Sequence, residues 1–521
     1  MKKNFQLIGI TLILLLAAFL RLYRIADYMT FLGDEGRDVL VVYNILHGHL
    51  TLLGPTSSVG GFFLGPIYYY FMAPFLWLFN YNPVGPAVMV ALFGIATVWL
   101  VYKFCEDFFN YKVGLIAAFL YAISPLVIAY SRSSWNPNPL PFFSLLGLFI
   151  LYKGVVKSRM KYFFISGFLL GIAMQLHYLA VFLASIMILY VLLTEILPLK
   201  KNIRETGYSL LKKYTYSFVG FIIGWSPFLA FEVRHGFPDF RSILNFVFHS
   251  GNTGANPDFF SIIYNVFFRV FGRLVTSFPP PEQLFHYSPL IINLWTSFTF
   301  FVGLLSVFLL LLSLYKSFKL RSEDFKKYLL LFVWIFMGVI LFGFYKKDIY
   351  DYYFAFMFPL PFILSGFLIW NIQAFGKLKI YGKILAMLIF LTLFALNIQG
   401  IPFRYQPNRQ LNQMESISKF VLTKTGNKPF NFALITGGNS DFAYRYFFTV
   451  WGHTPVTIQN AQVDPKRTTV TSQLMVVCES LPCQPLGNSL WEIAGFGRAD
   501  IAGKWNISVV QVYKLVHYKA K

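Results

Sequence analysis

The chain has 521 residues, 57% hydrophobic, 20% aromatic and only 13% charged, where soluble domains carry about a quarter charged residues. With a mean hydropathy of +0.59 this excludes an ordinary soluble domain and reads as a polytopic membrane protein. A formal charge of +22 does not point to nucleic acid, because Lys and Arg fall in short clusters between apolar runs, where they set topology and meet anionic headgroups.

The first apolar run, Phe5 to Leu20, follows Met1-Lys2-Lys3, as a secretory signal would. No small-x-small cleavage site follows, and Arg21 and Arg24 come next, so it reads as an uncleaved anchor with a cytoplasmic N-terminus. Further apolar runs lie at 85–104, 113–130, 139–154, 162–176, 178–195, 214–232, 289–315, 329–345, 351–372 and 383–400. The longer ones reach across a hydrocarbon core of about 30 Å at about 1.5 Å per residue. Charge parity decides the run Phe62 to Phe79. If it spans, the loops with Lys153, Lys157, Arg159 and Lys161, and with Lys200, Lys201, Arg204, Lys212 and Lys213, face outward. If it lies along the surface, those loops and the clusters around Lys316, Lys327, Lys377 and Lys383 all face the cytoplasm. The positive-inside rule therefore favours about eleven spans, with 62–79 as an interfacial helix whose Tyr68-Tyr69-Tyr70 and Trp77 suit a headgroup-level aromatic belt.

This topology puts 22–61, 131–138, 234–288 and 346–350 outside. Within 234–288, Phe259 to Ser277 mixes apolar residues with Arg269 and Arg273, as an amphipathic lid or lipid-facing ledge would. After Gln399 the apolar density drops, and Pro402, Pro407 and Asn408 mark a linker. The pattern predicts helices at 411–424 and 441–451 and strands at 430–436, 474–478 and 507–513. The fold class is thus mainly α: a transmembrane helical bundle over 1–400, then a small extracytoplasmic α/β domain over 401–521. Cys478 and Cys483 are placed either to close a short disulfide loop or to stand as two reduced thiols.

The chemistry concentrates at the outer face. Asp34 and Glu35, in FLGDEGRD, form an acidic pair near a membrane boundary, where a carboxylate is costly to desolvate and useless as a lipid anchor. Adjacent side chains diverge, so one acts and the other supports unless Gly33 and Gly36 make the backbone irregular. The structural alternative is Asp34 as the N-cap of a helix through Val39 to Leu46. Arg132 stands at the outer end of a span, either as a fork for a phosphate or as a snorkelling side chain, and Asn136 and Asn138 open the next span. His177, beside Tyr178, interrupts two apolar runs; Lys346 and Lys347 lie in an outer turn before Tyr352-Tyr353 and Pro359-Leu360-Pro361.

Together these residues resemble the GT-C superfamily of membrane glycosyltransferases, in the branch of protein O-mannosyltransferases and lipid A aminoarabinose transferases. The resemblance covers about residues 5–370 and is carried by Asp34-Glu35, Pro66-Ile67-Tyr68-Tyr69, Ser131-Arg132 and the Tyr- and Pro-rich stretch Tyr352 to Pro361. It implies a polyprenyl-phosphate-linked sugar donor, a lipid, glycan or protein acceptor outside the membrane, and inversion at the sugar carbon. Asp34 would take the acceptor proton, with Glu35 and Arg37 tuning it. Arg132 and Lys346 or Lys347 would hold the donor phosphate, and Asn136, Asn138, His177 and Tyr353 would contact substrate. Leu64-Gly65-Pro66 departs from the family's basic residue and paired prolines, and Asn136-Pro137-Asn138 from its second acidic position. With that position lost, a divalent cation lacks charged ligands, so catalysis without a required metal is expected. Two other classes stay open on the sequence: a lipid-linked glycan flippase or transporter, and a glycan ligase or polymerase.

Overall fold

A computed structural model of the chain describes residues 2–197, 202–373 and 379–518; Lys200, Lys201 and Lys377 of the basic clusters lie outside the described residues. Every one of the eleven apolar runs is helical. Among the described residues, six helices are individually long and apolar enough to cross a bilayer, or eight if each of two bent pairs is one span. Three of the eleven runs form shorter helices, of which Met160–Leu176 and Ala180–Ile196 have 17 residues each. Tyr111–Ile123 has 13 residues, about 20 Å of rise, because Ser124-Pro125 breaks the ladder before Pro125–Tyr130. Ile203–Gly224 bends by 74° into Ser226–His235, and the 3-10 turn Asp351–Met357 bends by 63° into Pro359–Ile372, again where a proline follows.

Glycines decide one helix pair. Met160–Leu176 lies against Ile203–Gly224, and Cβ atoms on Gly167, Gly171, Gly220 or Gly224 would collide with the facing backbone at Ser217, Phe221, Phe164 or Phe168. Both helices thus carry a G-x-x-x-G face, the small-residue packing that membrane helices use. Arg204, Lys212 and Lys213, expected in a loop, are on the second of these helices, and Lys213 is buried in an ion pair with Glu195. On the outside of the bundle, Pro289–Lys319 and Lys379–Gln399 expose rows of large apolar side chains, Leu290, Leu294 and Ile398 among them, as lipid-facing helices do.

The helix at 67–78 corrects the aromatic-belt expectation. Tyr68 and Tyr69 are buried in protein: Tyr68 Oη meets Ser134 Oγ at 2.7 Å and Tyr69 Oη donates to Asp38 Oδ1 at 3.3 Å. Trp77 remains exposed. Phe259–Gly272 is likewise no free ledge, since Val266, Val270 and Phe271 are buried and Phe267 and Phe271 meet Gly303 of Pro289–Lys319.

The C-terminal region builds a four-stranded sheet from β1 (Asn431–Ile435), β2 (Gln473–Cys478), β3 (Ala499–Ile507) and β4 (Val510–His517), in the order β1-β2-β4-β3. β1 and β2 are parallel; the other pairs are antiparallel. The strand expected at 507–513 straddles the hairpin between β3 and β4, which turns at Ser508 with φ +52°. β3 is a further strand, and Ala499, Ile501, Trp505 and Ile507 alternate there with Asp500, Lys504 and Asn506, a period-2 signal that the sequence reading passed over. Cys478 and Cys483 are joined as a disulfide. The helix Phe442–Val450 of this region packs on Gly33–Leu46, so the C-terminal region sits at the same end of the helical bundle as the segment that carries Asp34.

Candidate active site

The acidic pair lies in the first turn of the regular helix Gly33–Leu46, whose N-cap is Leu32. Asp34 is therefore not the cap. Glu35, the third residue of the helix, reaches back over the cap: its Oε2 accepts from Leu32 N at 3.1 Å and its Oε1 from Thr30 Oγ1 at 2.6 Å, while Thr30 N is held by Ser133 Oγ at 3.1 Å. Burial raises the Glu35 carboxyl above its usual range against those hydrogen bonds. Gly33 and Gly36 serve close approach, not backbone irregularity: Cβ atoms there would strike Ser440 and the backbone of Ala443. Gly33 N donates to Asn439 Oδ1 at 2.9 Å, so the C-terminal region clamps the start of this helix.

The Asp34 side chain is 57% exposed. Arg37 bridges it to a third carboxylate: Nη1 donates to Asp34 Oδ1 at 3.0 Å, and Nε and Nη2 donate to Asp38 Oδ1 at 2.9 and 2.8 Å. Asp38 is fully buried and its Oδ2 has no hydrogen-bond partner. Burial lifts its carboxyl to about 7 despite Arg37. The sequence reading passed over Asp38, although its position four residues after Asp34 puts both on one helix face.

Asp34 and Trp135 line two adjoining hollows. The smaller, about 250 Å³, brings Asp34 together with Arg37, Asn136 and His177, and with Tyr178 and Tyr352. The larger, about 630 Å³, brings Asp34 together with Glu35, Asn138, Tyr130 and the strip Gly438-Asn439-Ser440. Asn136 Nδ2 donates to Leu176 O at 2.6 Å and Asn138 Nδ2 to Ser133 O at 2.8 Å, which fixes both amides. His177 stacks on Tyr178 with ring centroids 4.6 Å apart, and burial lowers its imidazole to about 3, so it is neutral.

Four expected residues do not line these hollows. Arg132 is buried and donates to Leu20 O at 2.8 Å, in the last turn of Lys2–Leu22, and to Tyr23 O at 2.7 Å just beyond it, with its guanidinium over the Tyr28 and Phe403 rings. It caps a helix C-terminus and is not placed to clamp a phosphate. Tyr353 is buried behind Tyr352, which faces the hollow in its place. Lys346 and Lys347 are exposed and follow Tyr345, whose hydroxyl lies 3.4 Å from that of Tyr178, so they stand at the rim.

The cations that sequence reasoning missed are Arg269 and Arg273. Both bind Asp351, with contacts of 2.6 Å and 2.8 Å. Two guanidiniums share one carboxylate within electrostatic reach of Tyr130, leaving a net positive charge beside the larger hollow. Arg273 also lines a third hollow of about 370 Å³, which shares Ala129 with the larger one and is walled by Trp295, Leu396 and Gln399 at the lipid-facing helices. Their i,i+4 spacing was the available signal. Among the described residues, no three His, Cys, Asp or Glu side chains are grouped to hold a metal ion.

Comparison with known proteins adds to this geometry. Residues 64–226 match the family described as dolichyl-phosphate-mannose-protein mannosyltransferase. ArnT from Cupriavidus metallidurans, solved bound to undecaprenyl phosphate, superposes with a TM-score of 0.60 at 12% identity, covering 99% of this chain and 98% of ArnT. The chain shares the fold of ArnT. It is also similar in fold to the oligosaccharyltransferase AglB from Archaeoglobus fulgidus, solved with an inhibitory peptide and a dolichol-phosphate (TM-score 0.55, 13% identity, 91% of this chain and 69% of AglB). Two Bacillus subtilis (strain 168) proteins provisionally named as mannosyltransferases are each 25% identical: YycA over 146 residues, 28% of this chain, and YkcB over 207 residues, 39% of this chain. The matched segments span only 21% of YycA and 28% of YkcB. With several helices long and apolar enough to cross a bilayer, the chain is a multi-pass membrane protein.

Proposed function

We propose that the protein is an integral membrane glycosyltransferase that moves a sugar from a polyprenyl-phosphate donor to an extracytoplasmic acceptor with inversion. The observation that carries this is the placement of Asp34: an exposed carboxylate, held by Arg37, on the boundary between two hollows, one of which adjoins a lipid-side hollow containing Arg273. The prenyl tail lies against the exposed apolar flank of that third hollow, and Arg273 and Arg269 stabilise the charge developing on the leaving phosphate. Asp34 takes the proton of the acceptor hydroxyl as its oxygen attacks the anomeric carbon from the opposite face. The lipid phosphates bound in ArnT and AglB support this donor class.

The N-terminus lies in the cytoplasm and the C-terminal region outside. The distribution of basic loops supports this, as does the packing of that region on the first outer loop. The reaction needs no resident metal on this reading: among the described residues the carboxylates lining the two hollows are Asp34 and Glu35, Glu35 is taken up by Thr30 and Leu32, and chelation should leave transfer unchanged. Purified protein in vesicles, given radiolabelled polyprenyl-phosphate sugars, tests the whole assignment. Label should leave the lipid for a water-soluble or acceptor-bound form. Label that crosses the bilayer still attached to its phosphate would instead make the protein a flippase, and growth of lipid-linked chains would make it a polymerase.

A further inference from the structure

The C-terminal region carries a hollow that the reaction at Asp34 does not use. It measures about 550 Å³, within the range of small-molecule sites, and lies at the carboxyl end of β1 between the loop at 436–441 and Asn488, Leu490 and Glu492. Gly438, Asn439 and Ser440 line both this hollow and the larger Asp34 hollow, so a single strip of backbone joins the two. The strip is fixed in place. Asn439 Oδ1 accepts from Gly33 N and Ser440 N, each at 2.9 Å, and its Nδ2 donates to Glu479 at 3.1 Å. Glu479 also accepts from Tyr444 Oη at 2.7 Å and Thr436 Oγ1 at 2.8 Å.

Gly438 has no reason within the fold to be glycine. Its backbone is outside the left-handed region, and a Cβ built on it would meet nothing within 4 Å. Packing and backbone geometry would accept any ordinary side chain there. What such a side chain would obstruct is the passage between the hollows, which is where a bare backbone matters if a ligand passes close over it. The polar side chains of the β1 hollow are carboxylates, amides and hydroxyls, with no Lys or Arg among its walls. Such a surface exchanges hydrogen bonds with sugar hydroxyls and repels phosphate or acidic groups.

We infer that the β1 hollow is an acceptor subsite: a neutral oligosaccharide lies across Gly438, its reactive end at Asp34 and its following units above β1. This rests on Asp34 being the catalytic base, so the test reads binding without donor. Full-length protein in nanodiscs is titrated with mannose, glucose and N-acetylglucosamine, with the two-unit and five-unit oligomers of each, and with a Ser/Thr-rich peptide, using saturation-transfer NMR. At least one five-unit sugar should bind about tenfold more tightly than its monosaccharide. Gly438→Leu should remove that advantage at an unchanged melting temperature. Glu492→Leu, at the end remote from Asp34, should weaken the five-unit sugar and spare the two-unit one, which covers the case in which the Gly438 variant fails to fold. Asp34→Asn should keep the binding. Failure of every five-unit sugar to exceed its monomer, an advantage that survives both substitutions, or Gly438-dependent binding of the peptide instead would overturn the inference. An Asp34→Asn protein that binds the oligomer and still transfers sugar would remove the base assignment alone.

Discussion

If Asp34 is the base proposed above, Asp34→Asn separates catalysis from folding, because the start of its helix is held by Glu35, Gly33 and Asn439 instead. The Asp34 carboxylate is more than half exposed and makes one ion pair, to Arg37 at 3.0 Å, while Arg37 keeps its 2.8 Å contact with Asp38. Loss of such an exposed pair costs about 1 kcal/mol or less, and the amide has nearly the same volume as the carboxylate. Removal of a positioned general base lowers turnover by about 10²–10⁴-fold, equivalent to about 3–5 kcal/mol on the barrier. The variant should therefore melt close to the unaltered protein and bind donor normally, yet transfer at least a hundredfold more slowly. The assay is release of radiolabelled sugar from polyprenyl phosphate in proteoliposomes at saturating donor, so that turnover and donor KM are read apart. Turnover near that of the unaltered protein, at an unchanged melting temperature, would refute Asp34 as the base.

Arg132→Ala should destabilise the fold by about 3 kcal/mol, because two carbonyls at the end of Lys2–Leu22 lose charged donors; thermal melts in detergent check this, and the fraction that folds should keep its donor KM. Arg273→Ala should raise donor KM about tenfold, a charged hydrogen bond being worth about 1.5–3 kcal/mol, while Lys346→Ala and Lys347→Ala change it less; initial rates against donor concentration decide. Asp38 gives a pH dependence of definite sign. Its folded carboxyl is raised to about 7 from an ordinary 3.8, so its contribution to stability is complete below about pH 4 and is lost as pH rises through 7. The melting temperature should fall between pH 5 and pH 8, and Asp38→Asn should flatten that limb.

Much of this molecule was legible in the linear chain because hydrophobic length and charge placement are local properties. A run of apolar residues is helical in lipid whatever packs beside it, since its backbone has no other partner. All eleven runs are helices, and the division of Asp34 and Glu35 into an exposed and a buried carboxylate follows from their adjacency. Span number was harder to read, because a proline step shortens or bends some helices without interrupting the apolar pattern, and two others are only 17 residues long.

Side-chain destinations were decided elsewhere. Whether Arg132 grips a phosphate or a helix end depends on the carbonyls of Leu20 and Tyr23, more than a hundred residues away in sequence. Tyr352 and Tyr353 are interchangeable in the sequence, and only the packing against Trp135 and His177 selects which one faces the hollow. Gly33 and Gly36 are read correctly only once Ser440 and Ala443 arrive from the C-terminal region. The sequence by itself determined the membrane class, the helices and the acidic pair. The tertiary structure alone decided which polar groups share a cavity, because a buried ion or amide takes the partner that long-range packing delivers to it.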